Sequence, residues 1–106
     1  YILREARELA ERYLDLAAAN ARISLISFAN ANEGLSNAEL TDFVRAARGL
    51  LTDMLCRRLP DRGMRRERLM ELIRLMDKAE EYLRFNVSVK HVLGMLSAET
   101  PERGNK

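Results

Sequence analysis

Three kinds of residue in this chain could carry chemistry: a single histidine, His91, a single cysteine, Cys56, and a run of arginines. A general base or a nucleophile needs a positioned partner to work. His91 falls on the outer side of a short helical stretch beside Lys90, and Cys56 on the polar flank of a long one, neither with a partner in view. One cysteine and one histidine are too few for a zinc site. Neither the G-x-x-x-x-G-K-[ST] loop nor the G-x-G-x-x-G turn that cradles phosphate occurs. Asn86-Val87-Ser88 fits a glycosylation acceptor, a coincidence in a chain with no secretory leader in view. No catalytic residue, metal, cofactor or small-molecule ligand is assigned, and the chain is expected not to be an enzyme.

The strongest charge feature is "RRLPDRGMRRER", which holds Arg57, Arg58, Arg62, Arg65, Arg66 and Arg68 against Asp61 and Glu67, an excess of four. Its functional reading is a phosphate-contacting patch built on Arg57, Arg58, Arg62, Arg65 and Arg66. No aromatic residue lies within it to stack a base, and arginine clusters on helices are commonly solvated faces. A nucleic-acid-binding module is therefore the second reading. Gly49 and Gly94 sit on the polar faces of helical stretches, where each costs about 1 kcal/mol against alanine. Drift on an exposed surface explains that, and so does the close approach of a second chain.

These residues ride on a chain of 106 residues, 47% hydrophobic and 32% charged, with formal charge +2 and a pI near 9.0. That is one globular domain by length and composition. Fifteen of the eighteen basic residues are arginine, but the net excess is small for a dedicated nucleic-acid binder. The lone cysteine excludes an internal disulfide and suits a reducing compartment, so a cytoplasmic location is expected. No apolar run approaches the ~18 residues of a membrane span. The chain begins at Tyr1 rather than methionine, as expected of a piece of a longer protein.

Leu, Ala, Arg and Glu dominate and turn residues are few, so the spacing predicts an all-α fold of about five helices. The first covers 2–18, with Ile2, Ala6, Leu9, Tyr13 and Leu16 on one face. Asn20 breaks it, and a second covers 21–31 with Ile23, Leu25 and Ile26 as core candidates. Ser36 and Glu39 form a capping box for a third, 37–58, whose stripe is Leu40, Phe43, Val44, Ala47, Leu50, Leu51, Met54 and Leu55. "LPDRG" ends it. A fourth, 64–85, carries Leu69, Leu72, Ile73, Met76, Ala79 and Leu83, widened by Leu75 and Tyr82 until it must touch more than one neighbour. Ser88 caps a fifth, 89–98, with Val89, Val92, Leu93 and Leu96 inward. The domain is expected over 1–99, and 100–106 as a disordered tail.

Taken together, "GLLTDMLCRRL", a turn, "LMELIRLMDKAEEYLRFNVS" and a terminal "VKHVLGMLS" resemble the C-terminal collar domain of bacterial clamp-loader subunits, the delta-prime and gamma/tau chains of DNA polymerase III. Phe85-Asn86-Val87-Ser88-Val89-Lys90-His91-Val92-Leu93 occupies the family's "ANVNPRLAL" stretch. Asn86 and Val87 match directly, Lys90 stands at the usual arginine, and Ser88-Val89 replaces Asn-Pro. Gly94 departs from the larger residue usual there. The likeness is specific over the last 60 residues or so and is nearer to delta-prime.

The resemblance implies an oligomerisation domain that packs beside its counterparts, in gamma/tau and delta, in a five-membered collar that loads the sliding clamp during DNA replication. It also implies that any ATPase module lies in a missing N-terminal part. Such interfaces are heterologous. The residues assigned to the subunit interface are Leu75, Tyr82, Arg84, Lys90, His91 and Gly94. Contact of this chain with DNA is not expected on that reading.

Overall fold

The computed structural model describes residues 2–101, with side chains from Arg4 onward. Its elements are α1 (Ile2–Ala18), α2 (Arg22–Ala31), α3 (Asn37–Leu55), α4 (Arg66–Arg84) and α5 (Val89–Glu99), with no strand among the described residues. The all-α class and the five-helix count follow the sequence reading.

Local chemistry fixes the boundaries. The Ser36 hydroxyl accepts from the Glu39 amide at 3.1 Å while the Glu39 carboxylate accepts from the Ser36 amide at 2.8 Å, the reciprocal capping box at the start of α3. Ser88 caps α5 by accepting from the His91 amide at 3.2 Å. Three helices end alike. Asn20, Arg57 and Asn86 each take the left-handed conformation, with φ of 58°, 64° and 63°. In each case its amide and the next one turn back onto the last helical turn, as Arg57 does to Met54 and Arg58 to Asp53. This reversal stops α3 at Leu55, three residues before the expected end. The stop is a backbone device at Arg57, and Pro60 lies beyond it.

α3 is the centre of the fold, flanked by α1 and α4, while α5 packs between α4 and α2. Leu40, Phe43, Val44, Ala47, Leu50, Leu51 and Met54 are all buried, as the stripe predicts, while its last member, Leu55, is half-buried at the helix end. Tyr13, Phe28 and Phe43 meet with ring centroids about 6 Å apart at the junction of α1, α2 and α3. On the solvent side of the α3–α4 seam, Glu80 accepts from Arg45 Nε at 2.7 Å and from an Arg48 guanidinium nitrogen at 2.6 Å, and Arg48 also holds Asp77 at 2.8 Å. Burial works against the Glu80 charge, but the two arginines outweigh it and hold the carboxyl below its ordinary value.

Three expectations change. Leu25 is buried, but Ile23 is 81% exposed and Ile26 also faces out. α2 is apolar on nearly every side, and the Leu25, Phe28 and Ala29 face is the one that meets the core. Leu75 is only 6% exposed, because the surplus apolar arc of α4 is covered by α5 within the chain. It is therefore a core residue and not a free interface residue. Thr100 and Pro101 were expected in the tail, yet Thr100 is 2% exposed, with its Oγ1 2.8 Å from the Tyr13 hydroxyl. Arg22 donates to the carbonyls of Ser97 and Thr100, and Arg68 to those of Ala17 and Pro101. The Arg22 guanidinium thus meets the carbonyl end of α5, where the helix dipole favours positive charge, and that of Arg68 ties the carbonyl end of α1 to Pro101. The Ile2 side chain and residues 102–106, also given roles from the sequence, lie outside the described residues.

Candidate functional site

α4 and α5 leave between them an open groove of about 590 Å³ lined by Tyr82, Ser88, Lys90, His91, Gly94, Met95 and Glu99. Four of the six residues assigned to an interface, Tyr82, Lys90, His91 and Gly94, thus come together although they belong to two helices. Arg84 is exposed in the last turn of α4 and does not line the groove. Leu75 lines a neighbouring hollow with Glu71, Arg74, Lys78, Glu99 and Pro101, where its side chain is already covered.

Local sequence explains the arrangement. The turn at Asn86 reverses the chain within four residues, so α5 starts where α4 stops. Val92, Leu93, Met95 and Leu96 seat α5 on the core, which leaves Lys90, His91 and Gly94 outward. The Lys78 ammonium lies 2.9 Å from Glu99 and 5.8 Å from the centre of the Tyr82 ring, tying the two helices across the groove. The carboxylate of Glu99 holds Lys78 above its ordinary value. Lys90 has no ion pair among the described residues. Gly94 is exposed, and a Cβ placed on it would meet nothing within 4 Å.

Phe85 was not assigned a role from the sequence, yet it is 71% exposed. It is the C-cap of α4, three residues after Tyr82 and seven after Lys78, and it does not line the groove. Glu99 and Met95 were also missed, Met95 because it lies off the Val89, Val92, Leu93 and Leu96 stripe and Glu99 because it abuts the tail.

The arginine corner is divided. Arg58 pairs with Asp53 at 3.2 Å and Arg62 with Asp15 at 2.6 Å, while Arg68 is buried on backbone carbonyls. Arg57, Arg65 and Arg66 remain exposed with no ion pair among the described residues. Half of the six charges are thus used by the chain itself, which reduces the field available to a phosphate backbone. Cys56 is exposed at the end of α3. Among the described residues no cluster of His, Cys, Asp and Glu could hold a metal ion, and no helix is long and apolar enough to cross a membrane.

No protein-family profile matches this chain, and neither does any characterised protein or solved structure.

Proposed function

We propose that this chain is an assembly module whose α4–α5 groove receives a helix of a neighbouring chain. The observation that supports it most is the convergence of Tyr82, Lys90, His91 and Gly94 on one open groove. The features fit helix-in-groove recognition, with an aromatic side chain, a backbone free of a side chain at Gly94, and a charge at the rim. No step of catalysis is assigned to the chain.

The particular assembly is named by the sequence likeness alone: the collar of a bacterial clamp loader, with this chain nearer to delta-prime and its neighbours of the gamma/tau and delta kind. On that reading the chain helps hold together the complex that places the sliding clamp on primed DNA, in the cytoplasm. Leu75, buried in the chain's own core, is left out of the proposed interface, and Arg84, exposed in the last turn of α4, is kept in it.

Light scattering of the chain alone, and mixed with the C-terminal domain of the same organism's gamma/tau chain, tests the proposal. A mixed complex that persists at moderate salt is the expected result. Separate monomers at high micromolar concentration would end the collar reading.

A further inference from the structure

We infer that the occupant of the groove is a partner helix carrying a carboxylate where it crosses Lys90 and a small residue where it crosses Gly94. The inference rests on the assembly reading and adds the chemistry of the partner.

Charge is the first ground. The groove is lined by one ammonium, Lys90, and one carboxylate, Glu99. Glu99 is already held by Lys78 at 2.9 Å, whereas Lys90 has no ion pair among the described residues. The first turn of α5 contains no acidic residue, so the positive end of that helix adds to the Lys90 charge with nothing to offset it. A cation there is in an unfavourable place for the isolated chain. A carboxylate supplied from outside would relieve it, and His91, exposed beside Lys90, offers a further polar contact.

Shape is the second. Nothing in the chain's own fold requires glycine at 94, since a side chain there would point into open space. Glycine nonetheless weakens an isolated helix. What it provides is a stretch of bare backbone, and helix axes approach more closely where the side chains at the contact are small. Tyr82, on the α4 wall of the groove, supplies apolar area against which a partner's apolar stripe can pack. A helix that is small at one position, acidic within a turn of it and apolar along the same face satisfies both grounds.

The test uses the complex of the full chain with the gamma/tau C-terminal domain. Carbodiimide coupling, which joins an amine to a touching carboxylate, is expected to link Lys90 to an Asp or Glu of the partner, with the internal Lys78–Glu99 link as standard. Lys90→Glu should weaken the complex at least about tenfold and Lys90→Gln by less. Gly94→Ala should raise the melting temperature of the free chain while weakening the complex several-fold, opposite signs that a purely structural role would not produce. If the complex forms but Lys90 stays uncoupled and these variants bind normally, the inference is overturned and the assembly reading survives. Coupling of Lys90 to a second copy of the same chain would also overturn it. If the wild-type chains do not associate at all, the assembly reading itself fails and the inference with it.

Discussion

The Tyr13 hydroxyl and the Thr100 Oγ1 lie 2.8 Å apart in the interior, joining the first helix to the residue that follows the last. Because Thr100 in turn donates to the Leu96 carbonyl, the Tyr13 hydroxyl is the donor between them. The pair, with Arg22 and Arg68 on the adjoining carbonyls, fixes the end of α5 and so the far wall of the groove. The position of that wall thus depends on contacts made some 80 residues away in sequence.

The two partners should respond unequally to substitution. Tyr13→Phe leaves Thr100 bonded to Leu96 and should cost about 1 kcal/mol, while Thr100→Val strands a buried hydroxyl and should cost about 1–3 kcal/mol. The double variant should cost less than the sum, since removing both partners leaves nothing unpaired. Urea unfolding of the three variants measures this, and additive costs would show that the bond is not made.

Burial pushes the Tyr13 hydroxyl up to about 12 from an ordinary 10.0. The unfolded chain then releases that proton first as pH rises. The stabilisation is intact below pH 10 and is lost as pH climbs toward about 12. Tyr13→Phe should flatten this alkaline fall in urea midpoint. An equal fall in the variant would assign it to other groups.

Glu80 acts at the opposite end of the scale. Its carboxyl is desolvated, yet Arg45 and Arg48 hold it below the ordinary 4.5. The contribution is present above that value and disappears as pH falls through the lowered one. Glu80→Gln should therefore destabilise by about 1–3 kcal/mol at neutral pH and by much less in acid. A penalty unchanged by pH would mean that packing, not charge, links α3 to α4 there.

The left-handed turns separate Arg57 from its two asparagine counterparts. Asparagine adopts that conformation at little cost, whereas arginine adopts it against a steric penalty. Arg57→Gly should stabilise the chain by up to about 1 kcal/mol, whereas Asn20→Gly and Asn86→Gly should be close to neutral. Thermal melts of the three single variants decide it, and a destabilised Arg57→Gly would point to a contact of its side chain.

Much of this fold was legible beforehand. The capping box at Ser36 and Glu39, the Ser88 cap and the α3 stripe are local codes, complete within one or two turns, and all appear where expected. The failures share a cause. α2 has apolar residues round its circumference, so nothing local chooses Leu25 over Ile23. Leu75 looked available because the sequence does not show that α5 covers it. Thr100 looked like tail because its bonds run to Tyr13, Arg22 and the neighbourhood of Arg68, all remote in sequence. The groove was half legible: its polar lining lies on the outward face of α5, but Glu99 acquires meaning only once Lys78 of α4 is set beside it.

Arg65 offers a last prediction that bears on the arginine corner. It occupies the N-cap of α4 without a side-chain cap bond, a position where an aspartate accepts from the exposed amides of the first turn and complements the helix dipole. Arg65→Asp should raise stability by about 1 kcal/mol while taking two units of charge from a patch in which Arg58, Arg62 and Arg68 are already engaged. If the corner is a solvated surface, the variant is more stable and assembles with its partner as the wild type does. If the corner instead contacts nucleic acid, fluorescence anisotropy with labelled single-stranded DNA should show binding by the wild type at low salt that falls steeply as salt is raised and is weakened in the variant. Because the corner lies at the start of α4 and the groove at its end, the two measurements report on them separately, and a variant that gained stability yet lost DNA binding would shift the reading of this chain from assembly to nucleic acid.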